Sequence, residues 1–305
     1  MKVLIATEKP FSASASAKIA EAIEAAGHTP VFLEKYKSVA ELHAALADAD
    51  ALIVRSDIID AAAVAAAPKL RIIVRAGAGY DNIDLEAARN AGIVVENTPG
   101  QNANAVAELV VGLAIMAARN NYSGSTGFEL GGRRLGLQAF GQVSRKVAPK
   151  AKGLGMTVTA FDPYCPDEVI QEAGVAVAPG LKELYAASDI LSIHIPATPQ
   201  TKGSIGEELI GALPKGAVII NTARKEVIDE AALEKMLEER PDLKYYADVR
   251  PACADRLLER FADRVFFTPK KSGAQTAEAN LNAGLAAAAQ IADFFATGNT
   301  RFKVN

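Results

Sequence analysis

The run Arg134-Leu-Gly-Leu-Gln-Ala-Phe-Gly-Gln-Val-Ser-Arg-Lys-Val-Ala148, continued by Lys152-Gly-Leu-Gly-Met-Thr-Val-Thr-Ala-Phe-Asp162, constrains this chain more than any other stretch. It reads as strand, tight turn, helix and second strand, with Asp162 closing the unit 21 positions after Gly141. In a parallel sheet this layout points free N–H groups at the start of a helix toward a pyrophosphate, and offers a carboxylate to ribose hydroxyls. Against the pattern G-x-G-x-x-G the segment has Ala139, Gly141 and Ser144, so only the middle glycine is kept. The reading therefore requires an ordinary φ at Ala139 and a helix–sheet contact at Ser144 that tolerates a hydroxyl. Phe140, Gly141, Gln142 and Val143 are then expected to contact the dinucleotide. Asp162 without an adjacent arginine favours NAD, because the extra phosphate of NADP would face a like charge.

With 305 residues, half of them hydrophobic, two domains are expected. The net charge of −3, from 33 basic and 36 acidic residues, gives no global field for nucleic acid or an anionic membrane, so neither is an expected partner. Cys165 and Cys253 are too few for a disulfide framework and fit a reducing, cytoplasmic compartment. The start, MKVLIATEKPF, passes straight into a strand pattern with no signal peptide, and no apolar run reaches the ~18 residues of a membrane span. The three histidines lie far apart: His28 as an exposed helix stop, His43 on a solvated helix surface, His194 as a donor at a strand end. No metal site is expected from them.

Short apolar strands alternate with amphipathic helices along the whole chain, the pattern of an α/β protein with parallel sheets covered on both faces. In the first hundred residues the polar groups fall at strand ends, Arg55-Ser56 after ALIV and Arg75-Ala76-Gly77 after RIIV. Ligands of open α/β sheets bind there, and a glycine turn beside an arginine suits an anionic substrate. The nearly apolar helix Ala105 to Ala118, with Asn104 placed to cap it, reads as a core or subunit-interface helix.

Further pieces make the chain resemble the D-isomer-specific 2-hydroxyacid dehydrogenase family. They are Arg75-Ala-Gly-Ala-Gly-Tyr-Asp-Asn-Ile-Asp84, Asn97-Thr-Pro99, Phe161-Asp-Pro163, His194-Ile-Pro196, Asn221-Thr-Ala-Arg224 and Gly273-Ala-Gln-Thr-x-Glu-Ala-Asn280. Within that family it is most similar to the short phosphoglycerate dehydrogenases, which lack a C-terminal regulatory domain and carry lysine for the catalytic histidine. The resemblance implies two doubly wound parallel-sheet domains with a cleft between them, the nucleotide domain being Rossmann-like. It implies a discontinuous substrate domain, 1–98 with 285–305, a dinucleotide domain 99–284, and a homodimer.

Carried over position by position, the resemblance makes Arg224 the clamp for the substrate carboxylate. Asn102, at the domain crossing, becomes a substrate contact, joining Arg55, Ser56, Arg75, Ala76 and Gly77, which their strand-end positions already mark as such. His194, Thr222, Ala223, Asp248 and Gly273 join the NAD site. The family's His-Glu proton relay is missing, since Cys253 stands for the glutamate and Lys270 for the histidine. Lys270 is then the proton-transfer residue, with Lys271 beside it on the substrate. A protonated lysine can donate during reduction, whereas accepting a proton during oxidation requires the neutral amine. The implied reaction is NAD-dependent oxidation of D-3-phosphoglycerate to 3-phosphohydroxypyruvate, the first step of serine biosynthesis. Two rivals remain: a glyoxylate or hydroxypyruvate reductase, and a non-catalytic NAD-sensing binding protein of the same fold.

Overall fold

Runs such as Ala51-Leu-Ile-Val54 and Val218-Ile-Ile-Asn221 are buried at every position, so each must sit in a sheet with both faces covered. The computed structural model describes residues 1–305 and resolves them into two compact units, Met1–Asn102 with Thr276–Asn305, and Ala103–Gln275.

The first unit holds the strands β1 (Lys2–Thr7), β2 (Thr29–Glu34), β3 (Ala51–Val54), β4 (Ile72–Arg75) and β5 (Val94–Asn97). All are parallel, in the order β2-β1-β3-β4-β5. Leu4, Leu52, Val54, Ile73 and Val95 bury one face with residues of the helices Val39–Leu46, Ala61–Ala65 and Leu85–Asn90. Val3, Ile5, Ile53, Ile72 and Val74 bury the other, under the helices Ala13–Ala25 and Ala277–Thr297. Those two helices approach closely at Gly284, where a Cβ would lie 2.3 Å from Ile19 Cδ1. Ser12, Ser38, Asp60 and Asp84 cap their helices with side-chain oxygens on backbone amides, which explains where four of these helices begin.

Several local expectations need correction. The helix Leu85–Asn90 was not foreseen, although Asp84 before it and Gly92 after it are ordinary start and stop signals. His28 is half-buried rather than exposed, with its ring edge-on to Phe295 at 5.3 Å. His43 is also half-buried rather than solvated, with Nε2 shielded from water.

The second unit holds β6 (Arg134–Gln138), β7 (Thr157–Phe161), β8 (Ala176–Val177), β9 (Ile190–Ile193), β10 (Val218–Asn221), β11 (Lys244–Ala247) and β12 (Val265–Phe267). They form a parallel sheet in the order β12-β11-β10-β9-β6-β7-β8. The order reverses between β6 and β9, so the turn after β6 and the residues after β9 flank the crevice where such sheets take ligands. Asn104 does not cap the apolar helix: the helix runs Ala103–Ala118, and Asn104 inside it donates to Glu108 and accepts from Lys150. The helix Ala254–Phe261 was also missed. No helix is long and apolar enough to cross a membrane.

Candidate active site

The turn after β6 departs from the sequence reading at its first residue. Ala139 has a φ of 78°, in the left-handed region where an L side chain is strained, and not the ordinary φ expected of it. Its neighbours account for the conformation. The Ala139 N–H donates to Phe161 O at 2.9 Å, and its carbonyl accepts the buried Ser144 hydroxyl at 2.7 Å. Phe140 donates its N–H to Asp162 Oδ2 at 2.8 Å and accepts Arg145 Nε at 3.1 Å.

Gly141 has an ordinary φ of −79°, and a Cβ there would meet nothing within 4 Å. Neither backbone nor packing demands a glycine at this position. What the missing side chain leaves is open access to the first turn of the helix Gln142–Gly153, which has no side-chain cap. Asp162 spends one acceptor position on each of Phe140 N–H and Tyr164 N–H. An ionised carboxylate has about four, so two stay available for hydroxyls. Thr222, following β10, has a buried hydroxyl with no partner in the protein. An uncapped helix start, a carboxylate with spare acceptors and an orphaned hydroxyl along one sheet edge fit a dinucleotide.

On the same edge of this unit a cavity of about 340 Å³ is lined by Arg224, Lys225, Glu226, Asp248, Val249, Arg250, Thr268, Pro269, Lys270 and Lys271. Five of these are cationic and two acidic, and Asp248 is already committed. Its buried carboxylate accepts the Thr268 hydroxyl at 2.8 Å and the amides of Ser272 and Gly273 at 2.6 and 2.8 Å. Asp248 thus anchors the segment that carries Lys270 and Lys271, both exposed. Asn221, fully buried, does the same for the Arg224 loop: it accepts Ala223 N–H at 3.0 Å and donates to Arg224 O at 3.0 Å. The half-buried Arg224 donates to Ala223 O at 2.9 Å.

In the first unit the predicted substrate residues gather at the ends of β3 and β4, which are paired neighbours. The Arg55 guanidinium lies over the Phe11 ring at 5.0 Å, donates to Lys9 O and Pro10 O, and bonds Asn280. Desolvation pulls its pKa below the ordinary arginine value. The Arg75 side chain folds over Gly77, where a Cβ would strike Nη1, so Gly77 is required for that rotamer. Ser56 is exposed, Ala76 is buried, and Asn102 is half-buried as the last residue of this unit's first segment.

The profile of the D-isomer specific 2-hydroxyacid dehydrogenase, NAD binding domain, matches residues 106–270. This chain belongs to that family. The dehydrogenase relatives include D-3-phosphoglycerate dehydrogenase of Methanocaldococcus jannaschii, 38% identical over 268 residues that cover 82% of this chain and 51% of that protein. Hydroxypyruvate reductase of Thermotoga maritima is 37% identical over 267 residues, covering 80% of this chain and 84% of that one. The crystal structure of NAD+-bound 3-phosphoglycerate dehydrogenase from Entamoeba histolytica superposes with a TM-score of 0.92 at 46% identity, covering 100% of this chain and 98% of that chain. The chain spans about half the length of several phosphoglycerate dehydrogenases that it matches. Its second unit carries the NAD site of the family.

For a member of these dehydrogenases, two positions stand out. Cys253 is buried, its thiol pushed up to about 12 first by desolvation and then by its hydrogen bond to Glu230, so it is neither a base nor an orienting anion. Glu230 instead accepts the Ala252 and Cys253 amides, each at 2.8 Å, and shapes the turn beneath the cavity. His194 bonds Ser192 Oγ through Nε2 at 2.9 Å, and desolvation lowers its pKa to about 3, so the ring is neutral and serves as a hydrogen-bonding group. The sequence reading names Asn221 within a family motif without giving it a role, and it gives none to Glu230, Lys225 or Arg250. Asn221 alone had a signal, a polar residue closing a wholly apolar strand.

Proposed function

We propose that this chain is an NAD-dependent D-2-hydroxyacid dehydrogenase that oxidises D-3-phosphoglycerate to 3-phosphohydroxypyruvate, opening serine biosynthesis. The carrying observation is the excess of cations in one cavity, Arg224, Lys225, Arg250, Lys270 and Lys271 against Glu226 and a committed Asp248. That is more positive charge than one carboxylate needs. Arg224 holds the substrate carboxylate through its planar fork and polarises the adjacent C2–oxygen bond. Lys270 Nζ exchanges the proton of the C2 hydroxyl, accepting it in oxidation and returning it in reduction. Bound NAD supplies the hydride acceptor. Asp162 binds its adenosine ribose, the turn from Phe140 to Val143 binds its pyrophosphate, and His194, Thr222, Ala223, Asp248 and Gly273 line the remainder of its site. Arg75 and Arg55, with Ser56, Ala76, Gly77 and Asn102, serve the substrate's anionic end, Arg55 through the loop and Asn280 that it holds. Two free thiols, Cys165 and Cys253, suit a reducing, cytoplasmic setting, and the apolar helix Ala103–Ala118 suits a homodimer contact.

The second reading is a hydroxypyruvate or glyoxylate reductase, favoured by the Thermotoga maritima relative that the chain spans over most of its length. A panel of D-2-hydroxy and 2-keto acids, each with and without a phosphate, assayed with NAD(H) and NADP(H), separates the readings. Phosphoglycerate should exceed glycerate in kcat/KM by the ~2–5 kcal/mol of a desolvated charge pair. Equal turnover of the two would remove the phosphate and leave the reductase. NADH binding with no turnover of any acid would leave a binding protein.

A further inference from the structure

We propose that Ser144 is the positioning residue of the dinucleotide turn, its hydroxyl holding Ala139 in the left-handed conformation that presents Phe140 and Gly141 to NAD. The proposal rests on the family's NAD site and is independent of which acid is the substrate.

The fingerprint glycines at these two places normally need no such device, the first because it has no Cβ to strain, the third because it has no side chain to intrude. Here both are replaced, and the replacements are bonded to each other, Ser144 Oγ to Ala139 O at 2.7 Å. The serine lies within the helix Gln142–Gly153 and is fully buried, yet its hydroxyl reaches five residues back, past the helix start at Gly141. A helical serine ordinarily bonds the carbonyl three or four residues back within its own helix. The Ala139 φ of 78° is strained for an alanine, and strain of this kind persists only where the surroundings over-determine it. The opposing ties, Ala139 N–H to Phe161 O and Phe140 N–H to Asp162, come from the end of β7 and the residue after it and leave the Ala139 carbonyl unheld. Only Ser144 fixes that carbonyl, and its plane sets the direction of the next amide.

Ser144 and Ala139 therefore form a compensating pair, and loss of the hydroxyl matters only while residue 139 carries a Cβ. NADH affinity and melting temperature are measured for the parent, Ser144→Ala, Ala139→Gly and the double variant. The chain has no tryptophan, so the emission of NADH itself reports binding. Ser144→Ala is expected to raise the Kd for NADH about tenfold, equivalent to about 1.4 kcal/mol. Adding Ala139→Gly should return it to within about twofold of the parent, and Ala139→Gly alone should raise the melting temperature. Parental affinity in Ser144→Ala, or a double variant as weak as Ser144→Ala, would overturn the proposal, the latter because a pure packing role cannot be rescued from position 139. If Ser144→Ala does not fold, the double variant decides: a folded double variant with parental affinity supports the pairing, and an unfolded one refutes it.

Discussion

Thr268 donates its hydroxyl to Asp248 at 2.8 Å, joining the ends of β12 and β11 through two buried side chains. The same carboxylate takes the Ser272 and Gly273 amides, so one acid fixes the start and the far end of the segment bearing both lysines. Asp248→Ala would strand the Ser272 and Gly273 amides, at about 1–3 kcal/mol for a buried unpaired donor, while the Thr268 hydroxyl keeps the main-chain carbonyl of residue 248 at 3.1 Å. A lower melting temperature and a kcat/KM reduced by roughly two orders of magnitude are expected. Asp248→Asn, which keeps an acceptor oxygen, should lose less of both. Calorimetry beside steady-state kinetics checks this, and parental values in Asp248→Ala would show that the segment holds itself.

Asp162 has two duties, and two substitutions separate them. Asp162→Ala removes both the hydroxyl acceptor and the tie to Phe140 N–H, so NAD should weaken by the ~1.5–3 kcal/mol of a charged hydrogen bond. NADP should weaken much less, since the repelling carboxylate is gone. Asp162→Asn keeps an oxygen for Phe140 and should retain the parental melting temperature while still losing NAD preference. Parental enzyme turning over NADP as well as NAD would contradict the role.

Removing the fork of Arg224 should lower kcat/KM by orders of magnitude and leave NADH affinity nearly unchanged, because the clamp acts on the acid. Arg224→Lys is the sharper version, for an ammonium keeps the charge without the planar geometry. Most activity surviving in Arg224→Lys would mean that charge alone suffices.

Lys270→Met keeps side-chain length and deletes proton exchange. Both reaction directions should be lost while NADH still binds. In the parent both directions should proceed, the side chain taking the hydroxyl proton in oxidation and returning it in reduction. Parallel profiles of Lys271→Met decide between the neighbours: activity lost only in that variant moves the role by one residue.

The neutral His194 makes a pH prediction for stability. Its pKa is about 3 in the folded chain, against roughly 6.5 for a free imidazole, so the unfolded chain binds the proton more readily. The contribution is fully present above pH ~6.5 and is lost as pH falls toward the folded value. One imidazole exchanges one proton, so the slope is at most about 1.4 kcal/mol per pH unit. Urea unfolding between pH 7.5 and 5 should show the decline, and His194→Gln should flatten it. An unchanged slope in the variant would assign the acid sensitivity elsewhere.

The alternation of short apolar runs with amphipathic helices made both sheets legible in the sequence, because a fully apolar four-residue run such as Ala51 to Val54 has few places to go other than the middle of a parallel sheet. Short helices were less visible: Leu85–Asn90 is too brief for periodicity to emerge, and Ala254–Phe261 begins behind a cysteine that makes no side-chain cap. The pattern placed the turn between β6 and the helix Gln142–Gly153 and gave the wrong conformation at Ala139. Residue type constrains φ only statistically, while the bond from Ser144 that overrides the preference is set by tertiary packing. The commitment of Arg55 to Lys9, Pro10 and Asn280 was invisible for the same reason, since its partners lie 46, 45 and 225 positions away.

The close seat of Gly284 against Ile19 also bears on how the chain is made. During synthesis the apolar face formed by Val3, Ile5, Ile53 and Val74 emerges long before the helix Ala277–Thr297 that completes its cover. The intervening residues, Ala103–Gln275, contain every strand of the second sheet and need nothing from the last segment to complete that sheet. The nucleotide-binding unit can therefore finish folding on the ribosome while the unit begun first waits, open on one side, for the tail of its own chain.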